Sequence, residues 1–280
     1  MPVYLQEIPF RQMSLVKISV TMVFIPTPVK SQKFPTSAAE TVSIVALNRE
    51  SIPRATTLSL HLGLEGLCDS RVASGLVLEV SQSRLGLRDY SQRRSRALTV
   101  DSARRRYPAA GKDLLSRALG RHCHSVIDAT AGFGSDAFDF VRRGKQVCAI
   151  ERVVIVAMML EEAAEAFHPG QRDGELRVVC GDAIDEIRAQ GSADVIFLDP
   201  MFPERGRQSA QPRKAQQMLR RLAGEDPDAS ILFQVARRHA RKRVIVKRPR
   251  YAPPLGDDPD IMHKGKSVRY DIYLTGGTSR

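Results

Sequence analysis

Residues 123–151 read CHSVIDATAGFGSDAFDFVRRGKQVCAIE, and the stretch changes period twice. An apolar run through Val126 and Ile127 closes on Asp128 and reads as a buried strand. Ala131-Gly132-Phe133-Gly134 then makes a turn in which two glycines let backbone approach a ligand closely. A helical pattern over 134–143 and a second apolar strand over 146–150 complete a strand, glycine turn, helix, strand unit. That unit opens a doubly wound parallel sheet.

The alternation continues outward with helix 153–167, strand 176–180, helix 182–190 and strand 194–198. Helices near 213–222 and 228–240 and a strand over 243–247 follow. A Pro-rich loop (Pro249, Pro253, Pro254, Pro259) leads to a last strand, Val268 to Leu274. Such repetition predicts an α/β, Rossmann-like fold, its sheet mostly parallel with helices on both faces.

The chain upstream is of another kind. Its first dozen residues read as a loose extension. Val16, Ile18, Val20, Met22 and Phe24 alternate as a strand does, while Lys17, Ser19 and Thr21 break the run that a membrane span or secretory signal needs. Ser37-Ala-Ala-Glu40 has capping-box spacing and predicts a helix through Leu47. Leu76, Leu78 and Val80 face Leu85 and Leu87 across Ser81-Gln82-Ser83 as a hairpin. We therefore expect a small N-terminal α/β domain over 1–90, an Arg-rich connector over 91–121 and the sheet domain over 122–280. Within the connector, Leu114, Leu115, Ala118 and Leu119 form a helical apolar face ending at Gly120.

Net charge is +12 over 280 residues, and it is uneven. Residues 84–121 carry 11 Lys/Arg against 3 Asp/Glu, residues 201–250 carry 14 against 4, and the remainder is net acidic. A basic face on an acidic body points to a polyanion, in this context nucleic acid. Cys68, Cys123, Cys148 and Cys180 form no CxxC pair and read as small core residues of a protein from a reducing cytoplasm. His122-Cys123-His124 is not read as a metal site, because neighbours in a strand face opposite ways and no second ligand cluster accompanies them.

Four carboxylates stand at successive strand ends: Asp128, Glu151, Asp182 and Asp199. Any one of them fits a plain helix cap, but together they suit a ligand along the carboxyl edge of the sheet. Gly132-x-Gly134-x-x-Ala137 fits dinucleotides as well as S-adenosylmethionine, and Glu151 fits the ribose hydroxyls of either. Asp128 tilts the reading toward S-adenosylmethionine, since a carboxylate there suits an amino acid and sulfonium better than a pyrophosphate. Asp182 is placed for an adenine amino group.

Asp199-Pro200-Met201-Phe202-Pro203 follows the apolar run Val195 to Leu198. Asp199 and the Pro200 carbonyl suit the two N–H groups of a nucleobase amine, and Phe202 suits stacking on an unpaired base. An exocyclic amine is a poor nucleophile, and methyl transfer to it depends on aim and on stabilising the positive charge that develops.

From Val126 onward, the strings Asp128-Ala-Thr-Ala-Gly132, Ile150-Glu151-Arg152, Leu198-Asp-Pro-Met-Phe-Pro203, Val246-Lys-Arg-Pro249, Tyr251-Ala-Pro-Pro254 and Lys264-Gly-Lys-Ser-Val-Arg-Tyr-Asp-Ile-Tyr273 closely resemble the RsmJ family of class I methyltransferases. The resemblance covers about two thirds of the chain strongly. It implies a seven-stranded sheet and methylation of a guanine 2-amino group in 16S small-subunit rRNA, at guanine 1516. It also implies S-adenosylmethionine as donor, S-adenosylhomocysteine as product, and cofactor contacts at Ser135, Asp136, Glu151, Arg152, Asp182, Ala183 and Asp199. The chain departs from the family pattern at Ser135, where Arg is common, and at Asp182-Ala183, where small hydroxyl residues occur. Met201 replaces the second Pro of the commoner Asp-Pro-Pro-aromatic motif.

Candidate RNA-facing cations are Arg93, Arg94, Arg96, Arg104, Arg105, Arg106, Lys247, Arg248, Arg250, Lys264 and Lys266. The expected partner is 16S rRNA or the small ribosomal subunit, with no membrane and no metal. Three rivals stand beside this reading: a methyltransferase for adenine N6, an NAD-dependent oxidoreductase on the same glycine spacing, and a non-catalytic RNA-binding assembly factor.

Overall fold

The computed structural model describes residues 41–64, 66–101, 113–168, 170, 174–201 and 214–275. A three-stranded sheet comes first. Its β1 (Ser43–Ala46) runs parallel to β2 (Leu76–Val80), and β2 pairs antiparallel with β3 (Leu85–Asp89). The predicted hairpin forms, closed by the Ser81 N–H on the Arg84 carbonyl at 3.0 Å.

The helix expected from Ser37 through Leu47 does not form in its described part, because Ser43–Ala46 is β1. Ile44 and Val45 are buried there, and their β-branched side chains suit a strand whose backbone bonds with β2. Residues 37–40 and the expected strand near 16–25 lie outside the described residues. The helix of this region is α1 (Ile52–His61), with Pro53 in its first turn, where an N–H has no partner to lose.

The connector helix is α2 (Leu114–Leu119), opened by Asp113, whose side chain accepts the Ser116 N–H at 3.0 Å. Then follow β4 (Ser125–Asp128), α3 (Ser135–Val141), β5 (Gln146–Glu151), α4 (Val154–Glu165), β6 (Leu176–Cys180), α5 (Ala183–Gln190) and β7 (Ala193–Leu198). The chain ends with α6 (Lys214–Ala223), α7 (Ala229–His239), β8 (Ala240–Pro249), β9 (Ile261–Lys264) and β10 (Val268–Leu274). Each strand and helix read from 122 onward is present within a few residues, and β9 is an addition. It is a short, mostly exposed edge strand with little apolar signal to read.

The sheet order is β6-β5-β4-β7-β8-β10-β9, parallel except for β10, which is antiparallel to both neighbours. Helices α2, α3 and α4 cover one face through residues such as Leu115, Phe140 and Leu160; α5 and α7 cover the other through Ile187 and Phe233. This is the expected mostly parallel seven-stranded α/β fold. Because the order reverses between β4 and β7, a crevice opens at their carboxyl ends.

A third core joins the two sheets. Ile44, Leu78 and Leu87 pack with Ile155 and Met159 of α4 and Met218 of α6. Cys180, read as a core residue, is exposed instead, because β6 is the outer edge of the large sheet.

Candidate active site

At the crevice, a cleft enclosing about 570 Å³ including its mouth is walled by Ile150, Glu151, Asp182, Ala183 and Asp199, with Arg152 at its rim. Apolar wall area comes from Ala129, Ile184 and Leu232, and α6 contributes Leu219 and Ala223.

Glu151 ends β5 and is buried. Its two oxygens accept the Gly132 N–H at 2.8 Å and the Val153 N–H at 2.7 Å, which ties the glycine turn to the next helix. Gly134 takes φ 75°, and a Cβ there would lie 2.2 Å from the buried Leu160, so only glycine closes this turn. Burial raises the Glu151 carboxyl above its ordinary value, opposed by the two amide donors.

Asp128 sits beneath the cleft, 1% exposed. Burial pushes its carboxyl well above the usual range, and the nearby Asp136 and Asp199 push the same way. Asp182 caps α5 through Oδ1, accepting the Ile184 N–H at 2.8 Å, while also lining the cleft. Ser135 is exposed at the start of α3.

Asp199 leaves β7 with its N–H donated to Thr130 Oγ1 at 2.6 Å. Its Oδ2 meets the Lys247 ammonium at 2.9 Å, and the same ammonium lies 2.7 Å from Asp136 Oδ2. Burial raises the Asp199 carboxyl and Lys247 opposes it. For Lys247, burial favours the neutral form, but Asp199 and Asp136 outweigh it and hold the ammonium above its ordinary value. With 34% of the Asp199 side chain still in solvent, the Lys247 ammonium favours the carboxylate form against the effect of burial. Pro200 is buried behind it, and Phe202 lies outside the described residues.

Three contacts had no clear sequence signal. Asp226 accepts the Met201 N–H through Oδ2 at 2.6 Å and pairs with Arg152 through Oδ1. Asp228 lies 3.5 Å from the same guanidinium. Thr130 anchors Asp199. All three are loop residues brought together by strand order, though Thr130 stands inside the glycine string and Lys247 at the carboxyl end of β8, the edge where ligands bind.

The basic candidates divide. Arg93, Arg94, Arg96, Lys264 and Lys266 are exposed. Arg94 and Arg96 share a shallow concavity with Lys214. Arg248 is corrected: it is 4% exposed, with its guanidinium donated to the Pro253 carbonyl, so phosphate cannot reach it. Lys247, likewise read as RNA-facing, has its ammonium on Asp136 and on Asp199 of the cleft. Arg250 is half-buried, donates to the Gly265 carbonyl and lies 5.4 Å from the centre of the Tyr251 ring. Arg104, Arg105 and Arg106 lie outside the described residues.

Residues 64–275 match a family model described as "Putative SAM-dependent methyltransferase". The chain belongs to this methyltransferase family. A protein of Magnetococcus marinus named ribosomal RNA small subunit methyltransferase J is 36% identical over 230 residues, 77% of this chain and 89% of the relative. One of Chromohalobacter salexigens with the same name is 35% identical over 236 residues, 78% and 92% of the two chains. The crystal structure of a SAM-dependent methyltransferase from Neisseria gonorrhoeae superposes with TM-score 0.63 at 28% identity, over 85% of this chain and 98% of that one. The oxidoreductase reading of the glycine spacing falls with this membership.

The methyltransferase has a donor set that fits S-adenosylmethionine. Asp128, Asp136 and Asp199 surround a single ammonium, leaving acidic character for a sulfonium and an amine. The apolar walls at Ile150, Ile184 and Leu232 suit a flat purine.

Proposed function

We propose that this methyltransferase modifies the exocyclic 2-amino group of a guanine in small-subunit rRNA, guanine 1516 by its family resemblance, in the cytoplasm. The observation that carries the reading is Asp199: a carboxyl group at the end of β7, paired through Oδ2 with the Lys247 ammonium, with its Oδ1 unengaged by any described residue. Relatives named for small-subunit rRNA support the substrate class.

Bound S-adenosylmethionine supplies an electrophilic methyl group on a sulfonium. Glu151 would hold the ribose hydroxyls, Asp182 with Ala183 the adenine, and Asp128 with Asp136 the amino-acid end, over the turn of Gly132, Gly134 and Ser135. Arg152 would close the rim. Asp199 and the Pro200 carbonyl would accept the two N–H groups of the guanine amine, drawing nitrogen toward a tetrahedral shape and stabilising its growing positive charge. Phe202 would stack on the extruded base. Arg93, Arg94, Arg96, Lys214, Lys264 and Lys266 offer phosphates an exposed basic rim.

The test is methyl transfer to small ribosomal subunits from cells lacking this gene, followed by digestion to nucleosides and mass spectrometry. N2-methylguanosine is expected, and methyladenosine would sink the reading. Asp199→Ala is expected to lower kcat by about 10²–10³-fold, as loss of a transition-state contact does. Full methylation by that variant would remove Asp199 from the chemistry.

A further inference from the structure

Lys247 comes from β8, Asp136 from the first turn of α3 and Asp199 from the end of β7, and the lysine ammonium holds one oxygen of each carboxylate at 2.7 and 2.9 Å. Its side chain is only 22% exposed, so an RNA phosphate reaches it only after both pairs break. The ammonium engages Asp199 Oδ2 and leaves Oδ1 for the cleft.

We propose that Lys247 is a positioning residue for methyl transfer: it keeps the Asp199 carboxylate ionised and aimed at the substrate amine, and it is not an RNA contact. The inference rests on the guanine-amine reading above. Asp199 is crowded by acids on every side, Asp128 from β4, Asp136 from α3 and Asp226 from the loop before α7. Tyr270 of β10 faces the same corner with Asp139 behind it, and Lys247 is the cation in direct contact. Without that cation, burial and like charges all favour the protonated acid, which accepts the amine N–H more weakly and carries no charge to balance the nitrogen or to take its proton. The ionised form is the one the chemistry needs. The amine lone pair makes the new N–C bond while the old C–S bond breaks with its electrons going to sulfur, and the nitrogen then sheds one proton toward the carboxylate.

The experiment is single-turnover methyl transfer across the pH range, with the full chain and the same small subunits, for wild type, Lys247→Met, Lys247→Gln and Lys247→Arg. Lys247→Met and Lys247→Gln are expected to lower kcat about 10–100-fold at neutral pH and to move the acid limb up by about one unit or more. Lys247→Arg keeps the charge and should hold the limb near wild type. The rRNA affinity should stay within about threefold, because the RNA loses no contact. The ¹³C titration of the Asp199 carboxyl, read without substrate, should shift up in Lys247→Gln. An unmoved carboxyl titration overturns the inference whatever the substrate proves to be. So does a loss confined to affinity for cofactor or RNA. If the titration shifts but no guanine is methylated, the function proposed above fails and the Lys247 clamp on Asp199 stands.

Discussion

At the residue scale, the site is built from groups that do two jobs. Glu151 faces the cleft and also joins the glycine turn to α4 through its two amide acceptances. Glu151→Gln keeps one acceptor but turns an NH₂ toward a backbone N–H. We expect a loss of about 1–3 kcal/mol in stability, the cost of a buried unpaired donor. Calorimetry should show weaker S-adenosylhomocysteine binding in the same variant, and unchanged binding together with unchanged Tm would refute the double role. Asp226 is the corresponding latch for the other wall. Asp226→Ala removes the acceptor of the Met201 N–H and the nearer of the two carboxylates on Arg152, and kcat should fall about tenfold as the turn carrying Asp199 loosens, a misplacement effect measurable in single turnover.

At the element scale, the strands at 122 and beyond were legible because buried parallel strands are unbroken apolar runs bounded by glycine and charge. Element ends and edges were less so, as β9 and Cys180 show. The polar interior of the β8–β10 pair was invisible in the sequence. Arg269 and Asp271, two apart on β10, share one face and form a buried bidentate pair at 2.8 and 2.9 Å. Asp271→Ala strands a buried guanidinium and should cost about 3–5 kcal/mol, read by denaturant unfolding. At the opposite, amino-terminal edge of the sheet, buried Asp194 accepts the His124 N–H at 2.8 Å and meets Lys242 at 3.1 Å. Burial alone would raise its carboxyl, but these partners hold it down to about 2. A depressed folded-state value means stability that is present above the ordinary carboxyl range and lost as pH falls from about 4 toward 2. Asp194→Asn should therefore be about 2 kcal/mol less stable than wild type at neutral pH, with the gap closing in acid.

At the scale of the whole molecule, the small sheet is a buttress. Its Leu78 and Leu87 pack on α4 and on the Met218 and Leu222 face of α6, while Leu219 and Ala223 of α6 line the cleft. Glu162 of α4 accepts the Leu85 N–H at 2.7 Å and pairs with Arg54 of α1, and Arg221 of α6 meets Asp89 at 2.7 Å. Removing a side chain far from the cleft should then reach it. Leu78→Ala is expected to cost about 2–5 kcal/mol by leaving a cavity, and thermal unfolding reads that. Cofactor affinity should weaken with it as α6 loses its backing. Affinity that stays at the wild-type level in this variant would show that the wall of the cleft stands without the small sheet.

The sequence by itself determined the alternating α/β architecture, the glycine turn and the row of carboxylates at strand ends, because hydrophobic period and backbone freedom are local properties. It also carried the family. Only the tertiary structure decided that residues 43–46 are a strand, since a four-residue apolar run takes its form from the partner it pairs with. Only the tertiary structure turned Lys247 and Arg248 inward, and it brought Asp226 and Thr130 to the turn at Asp199. A cation in a sequence reads the same whether it faces solvent or a carboxylate. Which it faces is set by strand order and register, and these place β4, β7, β8 and the start of α3 around one corner.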